Sequence, residues 1–219
     1  MPRALFEKTG NAIWISHLDL MRVFQRSFKR AGLLLTHTQG FNPRPSVSIA
    51  LPLSVGIDSK CEFLDFDLEG ETVSNEEILN RLNQNLVDGV NILSVYDNGS
   101  KIKNIAYLDC IVTLEYDSGI PANAEIILQE FFSRDEIIVE KRTKNGPKME
   151  NIIPMIRKLS VVREDDHVLS LHARVCCQNP TLNPMLLHTA IENYIPELQP
   201  DFVKCSRVEV YDTSENVFR

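Results

Sequence analysis

The hydrophobic pattern of the first half of the chain predicts two helices among four strands. Residues 16–32 and 74–86 repeat their apolar positions every three or four residues, as amphipathic helices do. The segments around them alternate apolar and polar residues or form short apolar runs, which is typical of strands. The predicted strands cover residues 3–8, 46–51, 61–68 and 90–96, with further extended pieces at 12–15 and 33–38.

The second half repeats this order of elements. Helices are predicted over 122–132 and from Asn183 or Pro184 to 195, and strands over 106–116, 136–142, 168–177 and 203–211. Residues 152–162 are mixed apolar and stay unassigned. Two β-α-β-β-α-β halves around the turn-rich residues 97–101 predict the α+β fold class, with two tandem ferredoxin-like (split β-α-β) domains over 1–98 and 102–219. The alternative is one larger mixed α+β domain.

The first predicted helix has an apolar face and a basic face. Ser16 is a suitable N-cap, Asp19 is an acid in the first turn, and Gly32 suits the left-handed position after the helix. At 100° per residue the basic side chains fall together opposite the apolar stripe; they are Arg22, Arg26, Lys29 and Arg30. A row of four cations is what a phosphate backbone would neutralise, although a solvated helix face is the other interpretation.

A proline-rich segment, TQGFNPRPSVSIALPL, precedes the next strand. Pro43 and Pro45 each fix their own φ angle and force the preceding residue into an extended conformation, so the loop is stiff before anything binds. Such a loop could present Gln39, Asn42 and Arg44 to a ligand, or it could be a structural turn. We expect Phe41 to anchor the loop in the core; the alternative is an exposed ring that stacks on a base.

A second basic segment lies in the other half of the chain. The string KRTKNGPK places four cations around a Gly-Pro turn and predicts a basic hairpin tip; they are Lys141, Arg142, Lys144 and Lys148. Exposed hairpins also carry lysine for solubility and to protect a sheet edge, so this signal is weak by itself.

The composition limits the classes of protein that remain. The formal net charge is −7, yet residues 1–60 carry eight basic and three acidic residues, a net charge of +5, so the rest carries −12. This asymmetry favours one face for an anionic partner. The five cysteines, without an export signal, predict reduced thiols and a cytoplasmic protein, and no membrane segment is expected. The cysteine and histidine spacings predict neither a metal site nor a cofactor.

His17 is the one weak candidate for a catalytic residue. It lies in the first turn of the basic helix, where an imidazole could act as a general base. A structural role at the helix start is the simpler interpretation.

The strings KTGNAIWISHLDLMRVFQRSFKRAG and TQGFNPRPSVSIALPLSVGI closely resemble the radical SAM-linked protein family, a bacterial domain of unknown function. The match is strongest over residues 8–57. Members of that family are the C-terminal part of a radical SAM protein, or a separate protein encoded beside one and often near a ribonuclease of the E/G type. The resemblance implies a radical SAM protein as partner and a link to RNA or ribosome maturation. The chain itself has no C-x-x-x-C-x-x-C cluster motif.

Three functions follow as hypotheses. The first is a non-catalytic RNA-binding partner of a radical SAM enzyme, in which the basic helix and the stiff loop hold RNA. The second is a metal-independent ribonuclease with His17 as base. A loose likeness in architecture to the CRISPR-repeat endoribonucleases is an analogy in favour of this hypothesis. The third is a protein adaptor that docks the radical SAM protein without contacting RNA.

Overall fold

The computed structural model describes residues 1–70, 73–143 and 146–219, and gives only the backbone of residues 142 and 143. The chain divides into two compact units. The first unit comprises residues 1–103 together with Arg219, and the second comprises residues 104–218. Both combine helices with antiparallel strands, so the mixed α+β class is confirmed.

The first unit has the element order β-α-β-β-α-β. Its strands lie in the order β4-β1-β3-β2, and all neighbours are antiparallel. Arg3 pairs with both Asp65 and Tyr96, so β1 lies between β3 and β4. The elements are β1 Arg3–Lys8, α1 His17–Arg30, β2 Val47–Ile49, β3 Ile57–Phe66, α2 Asn75–Asn83 and β4 Val90–Tyr96.

The core of the first unit lies between its two helices and the sheet. The Phe24 ring packs edge-on against Phe6 with 4.9 Å between centroids, and the Phe28 ring lies 5.0 Å from that of Phe66. All four side chains are fully buried. Burying a phenylalanine stabilises the fold by about 1.5–3 kcal/mol, so the apolar stripe predicted from the sequence fixes which face of α1 turns outward.

The start and end of α1 are held by local bonds. The backbone N–H of Asp19 donates to Ser16 Oγ at 3.2 Å, which makes Ser16 the N-cap as predicted. The fully buried Lys8 donates from Nζ to the carbonyl oxygen of Ile15 at 2.9 Å and so ties the chain just before α1 to β1. Gly32 has a φ of +69°, the left-handed conformation expected after the helix.

The second unit has the same order of sheet elements with an extra hairpin. Its sheet order is β10-β5-β9-β8, and again all neighbours are antiparallel. Within the described residues, strands β6 and β7 pair only with each other. The elements are β5 Ile105–Glu115, α3 Ala124–Phe132, β6 Ile138–Thr143, β7 Gly146–Asn151, β8 Ile156–Arg163, β9 Val168–Cys176, α4 Met185–Tyr194 and β10 Phe202–Asp212.

Two segments differ from the sequence predictions. Residues 12–15 were expected to be extended, but Gly10–Trp14 form a 3-10 helix. Residues 136–142 were expected to pair within the sheet, but β6 belongs to the separate hairpin, and the unassigned 152–162 segment supplies β8 instead. The hairpin packs against α4, where the Tyr194 hydroxyl donates to the carbonyl oxygen of Ile138 at 2.9 Å. Alternation along a strand does not reveal its pairing partner.

Within the described ranges, no helix combines the length and the apolar character needed to cross a bilayer. The five cysteines are free thiols; four are buried and Cys177 is half-buried.

Candidate nucleic-acid interface

The four cations predicted on α1 are all exposed, opposite the buried stripe of the helix. Their outward position follows from the 3.6-residue period, since the apolar side chains Leu20, Phe24 and Phe28 take the sheet side. The acidic residue Asp19 lies in the first turn of the same helix. Cations that form an ion pair with this carboxylate are less available to bind an anionic ligand than cations without a partner.

Asp19 engages Arg22. The Arg22 guanidinium donates to Asp19 Oδ1 at 2.6 Å, and the Ser16 hydroxyl donates to Oδ2 at 2.7 Å. The Ser16 hydrogen bond, followed by the Arg22 bond, lowers the pKa of the Asp19 carboxyl, and the charge of Arg26 adds to this effect. Arg22 is therefore partly neutralised within its own helix.

Arg30 extends to the turn that follows α2. Its Nη2 donates to the carbonyl oxygen of Asn85 and to Ser27 Oγ, the latter at 3.1 Å. By contrast, Arg26 and Lys29 form no hydrogen bond or ion pair with the part of the chain that the structure describes. Two of the four predicted cations are thus available without breaking a bond.

The proline loop is closed at its base by backbone bonds. Thr38 donates its N–H to the Arg44 carbonyl at 2.8 Å, and the Arg44 N–H donates to Thr38 Oγ1 at 3.0 Å. Ser46 donates to the Thr36 carbonyl at 2.8 Å. Residues 39–43 therefore project as a tip from a short, tied hairpin, with Gly40 at a φ of +138°.

The side chains of this tip face solvent. Phe41 is fully exposed, with a relative accessibility of 108%, so the expectation that it anchors the loop in the core was wrong. The reason is that the bonds at the base hold the tip beyond the sheet. Gln39, Asn42 and Arg44 are exposed as well, and the Arg44 side chain has no partner among the described residues.

A groove lies between α1 and the base of the loop. Its volume is about 330 Å³. The α1 wall consists of Gln25, Phe28 and Lys29, and the opposite wall includes Leu34, His37 and Pro45. The structure therefore brings Lys29 and the base of the proline loop to one concavity, whereas the side chain of Arg30 extends to Asn85.

Among the groove residues, Lys29 and Pro45 were selected from the sequence, whereas Gln25 and His37 were not. Gln25 was one polar residue within a helix, and His37 carried no assigned role. The signal that could have located the groove is Leu33-Leu34-Leu35 directly after Gly32, because three consecutive leucines in an extended segment cannot all face the core. Leu34 is indeed 61% exposed, while its neighbours are buried.

The basic hairpin of the second unit is largely neutralised where it is described. Lys141 Nζ lies 3.0 Å from Glu150 and donates to the Thr181 carbonyl at 2.7 Å. Lys148 Nζ lies 3.4 Å from the same carboxylate. The Lys141 hydrogen bond lowers the pKa of Glu150. Lys144 and the Arg142 side chain lie outside the described residues.

His17 is half-buried in the first turn of α1. Its Nδ1 is buried and has no hydrogen-bond partner within the described ranges. The nearby Asp19 carboxylate accepts bonds from Ser16 and Arg22. Among the described residues, therefore, no carboxylate bonds His17 to orient it as a base.

Comparison with known proteins gives a family and similar solved structures. A search of curated proteins found no match. A chain of the "Crystal Structure of a Cbf5-Nop10-Gar1 Complex" is similar with a TM-score of 0.54 and 7% identity, covering 95% of this chain and 48% of that one, so the likeness concerns the fold alone. An unknown protein from Galdieria sulphuraria matches at 12% identity over 94% of this chain and 97% of that one, but its TM-score of 0.26 is too low to support a shared fold.

The family model that matches is "Uncharacterized protein conserved in bacteria (DUF2344)", over residues 2–184. The match covers most of the chain, which therefore belongs to this bacterial family.

Proposed function

We propose that this member of the uncharacterized bacterial family is a non-catalytic RNA-binding protein that acts as accessory partner to a radical SAM enzyme. The observation that carries the RNA proposal is the position of two exposed cations, Arg26 and Lys29, that form no ion pair with the described residues. Both lie on the helix that walls a groove beside a stiff, projecting loop.

Phosphate contacts are the first element of the proposal. Cations that already form ion pairs must give up those bonds to bind a phosphate, whereas unpaired ones gain the full release of counterions. Arg26, Lys29 and Arg44 are in this second class. Arg22 can join them in exchange for Asp19.

Base contacts are the second element. A fully exposed aromatic ring on a tied loop is a stacking platform for an unpaired base, and stacking is a usual mode of single-strand recognition. Phe41 supplies the ring, and the amides of Gln39 and Asn42 on either side can donate to and accept from a base edge or a 2′-hydroxyl. Because the loop is closed before binding, little ordering entropy is lost.

The radical SAM partner and the domain type complete the proposal. The partner is supported by the resemblance of residues 8–57 to the radical SAM-linked proteins. We further propose that each unit is a ferredoxin-like domain: numbering the sheet strands of each unit from one to four in chain order gives the order 4-1-3-2 in both.

Binding of a fluorescently labelled single-stranded RNA, followed by anisotropy at 50 mM salt, tests the proposal. The full chain is expected to bind, and the Arg26→Ala, Lys29→Ala double variant is expected to bind more weakly. The matched control is Lys101→Ala with Lys103→Ala, which removes the same charge from exposed positions outside α1 and the loop. Absence of binding, or equal loss in both variants, contradicts the proposal. Incubating the RNA with the protein in chelator tests the ribonuclease alternative, since cleavage that is lost in His17→Ala would assign the activity to His17.

A protein-docking function is the second candidate, because two large apolar side chains at the start of α1 are exposed. Trp14 is 66% and Leu18 is 68% exposed. Recovery of the radical SAM protein by the tagged chain after nuclease treatment, lost in Trp14→Ala with Leu18→Ala, would favour an adaptor. Loss of the enzyme on nuclease treatment would favour the RNA-dependent partnership.

A further inference from the structure

The groove between α1 and the loop has a lining that divides into an apolar floor and a polar rim. Leu34, which is 61% exposed, and the half-buried Pro45 present the apolar floor, which lies over the buried side chains of Phe28, Leu33 and Leu35. Gln25, an α1 residue on the rim, carries an amide, and His37 on the opposite side carries an imidazole. One apolar surface between two hydrogen-bonding groups suits a flat ligand with a polar edge.

The size of the groove selects among such ligands. Its volume of about 330 Å³ lies at the lower end of the roughly 300–1,000 Å³ typical of small-molecule sites. This space accommodates one planar heterocycle with its sugar, and it is small for a helix or for several side chains of a docked protein.

The charge around the groove points to a nucleotide. Lys29 lines the groove, and Arg26 lies one turn or less away on the same helix, both without an ion pair in the described parts of the chain. A base seated on the apolar floor would place its own phosphate towards these cations. Glu69, the carboxylate among the described lining residues, lies on the exposed rim, where it can accept a hydrogen bond from an amino group on a base.

We propose that this groove holds a single unpaired nucleobase of the bound RNA, with Gln25 and His37 on the base edge and Lys29 on the adjoining phosphate. The inference rests on the proposed RNA-binding function and deepens it, since it makes the protein a reader of single strands rather than of the phosphate backbone alone. Phe41 and the groove would then contact two different bases.

The test compares a single-stranded RNA with an abasic ribose-phosphate oligomer of equal length and charge. The wild-type chain is expected to bind the RNA about tenfold more tightly, since each stacked base contributes strongly to affinity. Gln25→Leu with His37→Ala is expected to reduce this preference, because the base edge loses its hydrogen-bond partners, and to change affinity for the abasic oligomer much less. Gln129→Leu, a glutamine on the exposed side of α3, is the matched control and should alter neither value.

Each outcome decides between the two proposals. Equal binding of both oligomers by the wild type overturns the groove assignment and leaves RNA binding intact, whereas binding of neither overturns both. Equal loss for both oligomers in the double variant also overturns the assignment. As a measurement independent of these variants, RNA containing 4-thiouridine should crosslink on irradiation to peptides within residues 25–37; crosslinks confined to the loop tip at residues 39–44, or to other segments, contradict the inference.

Discussion

The salt dependence of RNA binding gives the sharpest test of the basic face of α1. The perturbation is Arg26→Ala combined with Lys29→Ala. These two side chains are exposed and form no ion pair within the described ranges, so their removal leaves no buried or unpaired carboxylate behind. Phe24 and Phe28, which hold the helix to the sheet, are untouched.

The magnitude follows from counterion release. Each phosphate neutralised on a single strand contributes about 0.7 to the slope of log affinity against log salt. Losing two contacts should therefore reduce the slope by about 1.4. The fourfold change from 50 to 200 mM salt then makes the loss of affinity about sevenfold larger at 50 mM than at 200 mM.

The assay is a series of anisotropy titrations with one labelled single-stranded RNA at four or more salt concentrations. The Lys101→Ala, Lys103→Ala control carries the same net charge as the double variant and should keep the wild-type slope. Circular dichroism spectra of both variants, compared with that of the wild type, show whether the substitutions cause a general loss of structure.

Parallel salt lines for the wild type and the double variant would refute the reasoning, whatever the absolute affinities. A parallel offset would mean that the substitutions weaken binding without removing phosphate contacts. A slope that also falls in the control would assign the effect to net charge rather than to α1.

Further predictions concern three single residues. Asp19→Asn should release Arg22 and steepen the salt slope by about 0.7, while lowering the melting temperature because the N-terminal acid is lost; a shallower slope would contradict this. The stabilising effect of the Asp19 carboxyl, whose pKa is lowered, should persist at neutral pH and disappear as the pH falls through its folded-state pKa. Phe24→Ala should reduce the free energy of unfolding by about 3–5 kcal/mol in urea titrations; a cost below 1 kcal/mol would deny its role in the core. Burial raises the pKa of Tyr116 to about 12, so stability should fall above pH 10 as only the unfolded phenol ionises, and Tyr116→Phe should lack this component.

The sequence alone determined the local features of the fold. The capping serine, the glycine after α1 and the period of its apolar residues predicted the helix, its ends and its two faces, since all these signals act within a few residues. The strand predicted at residues 90–96 matches β4 in full for the same reason. The family resemblance likewise rested on contiguous strings.

Only the tertiary structure decided which side chains meet. Arg30 looked equivalent to Arg26 on the helical wheel, yet it bonds the carbonyl of Asn85, which is 55 residues away in sequence. The alternating pattern of β6 could not reveal that its partner is β7. Phe41 is a large apolar residue of the kind that usually lies in a core, yet backbone hydrogen bonds across the base of the loop hold it in solvent. The periodicity of a sequence reflects the secondary structure that one segment favours. Strand pairing and side-chain burial depend on contacts with residues that are distant in the sequence.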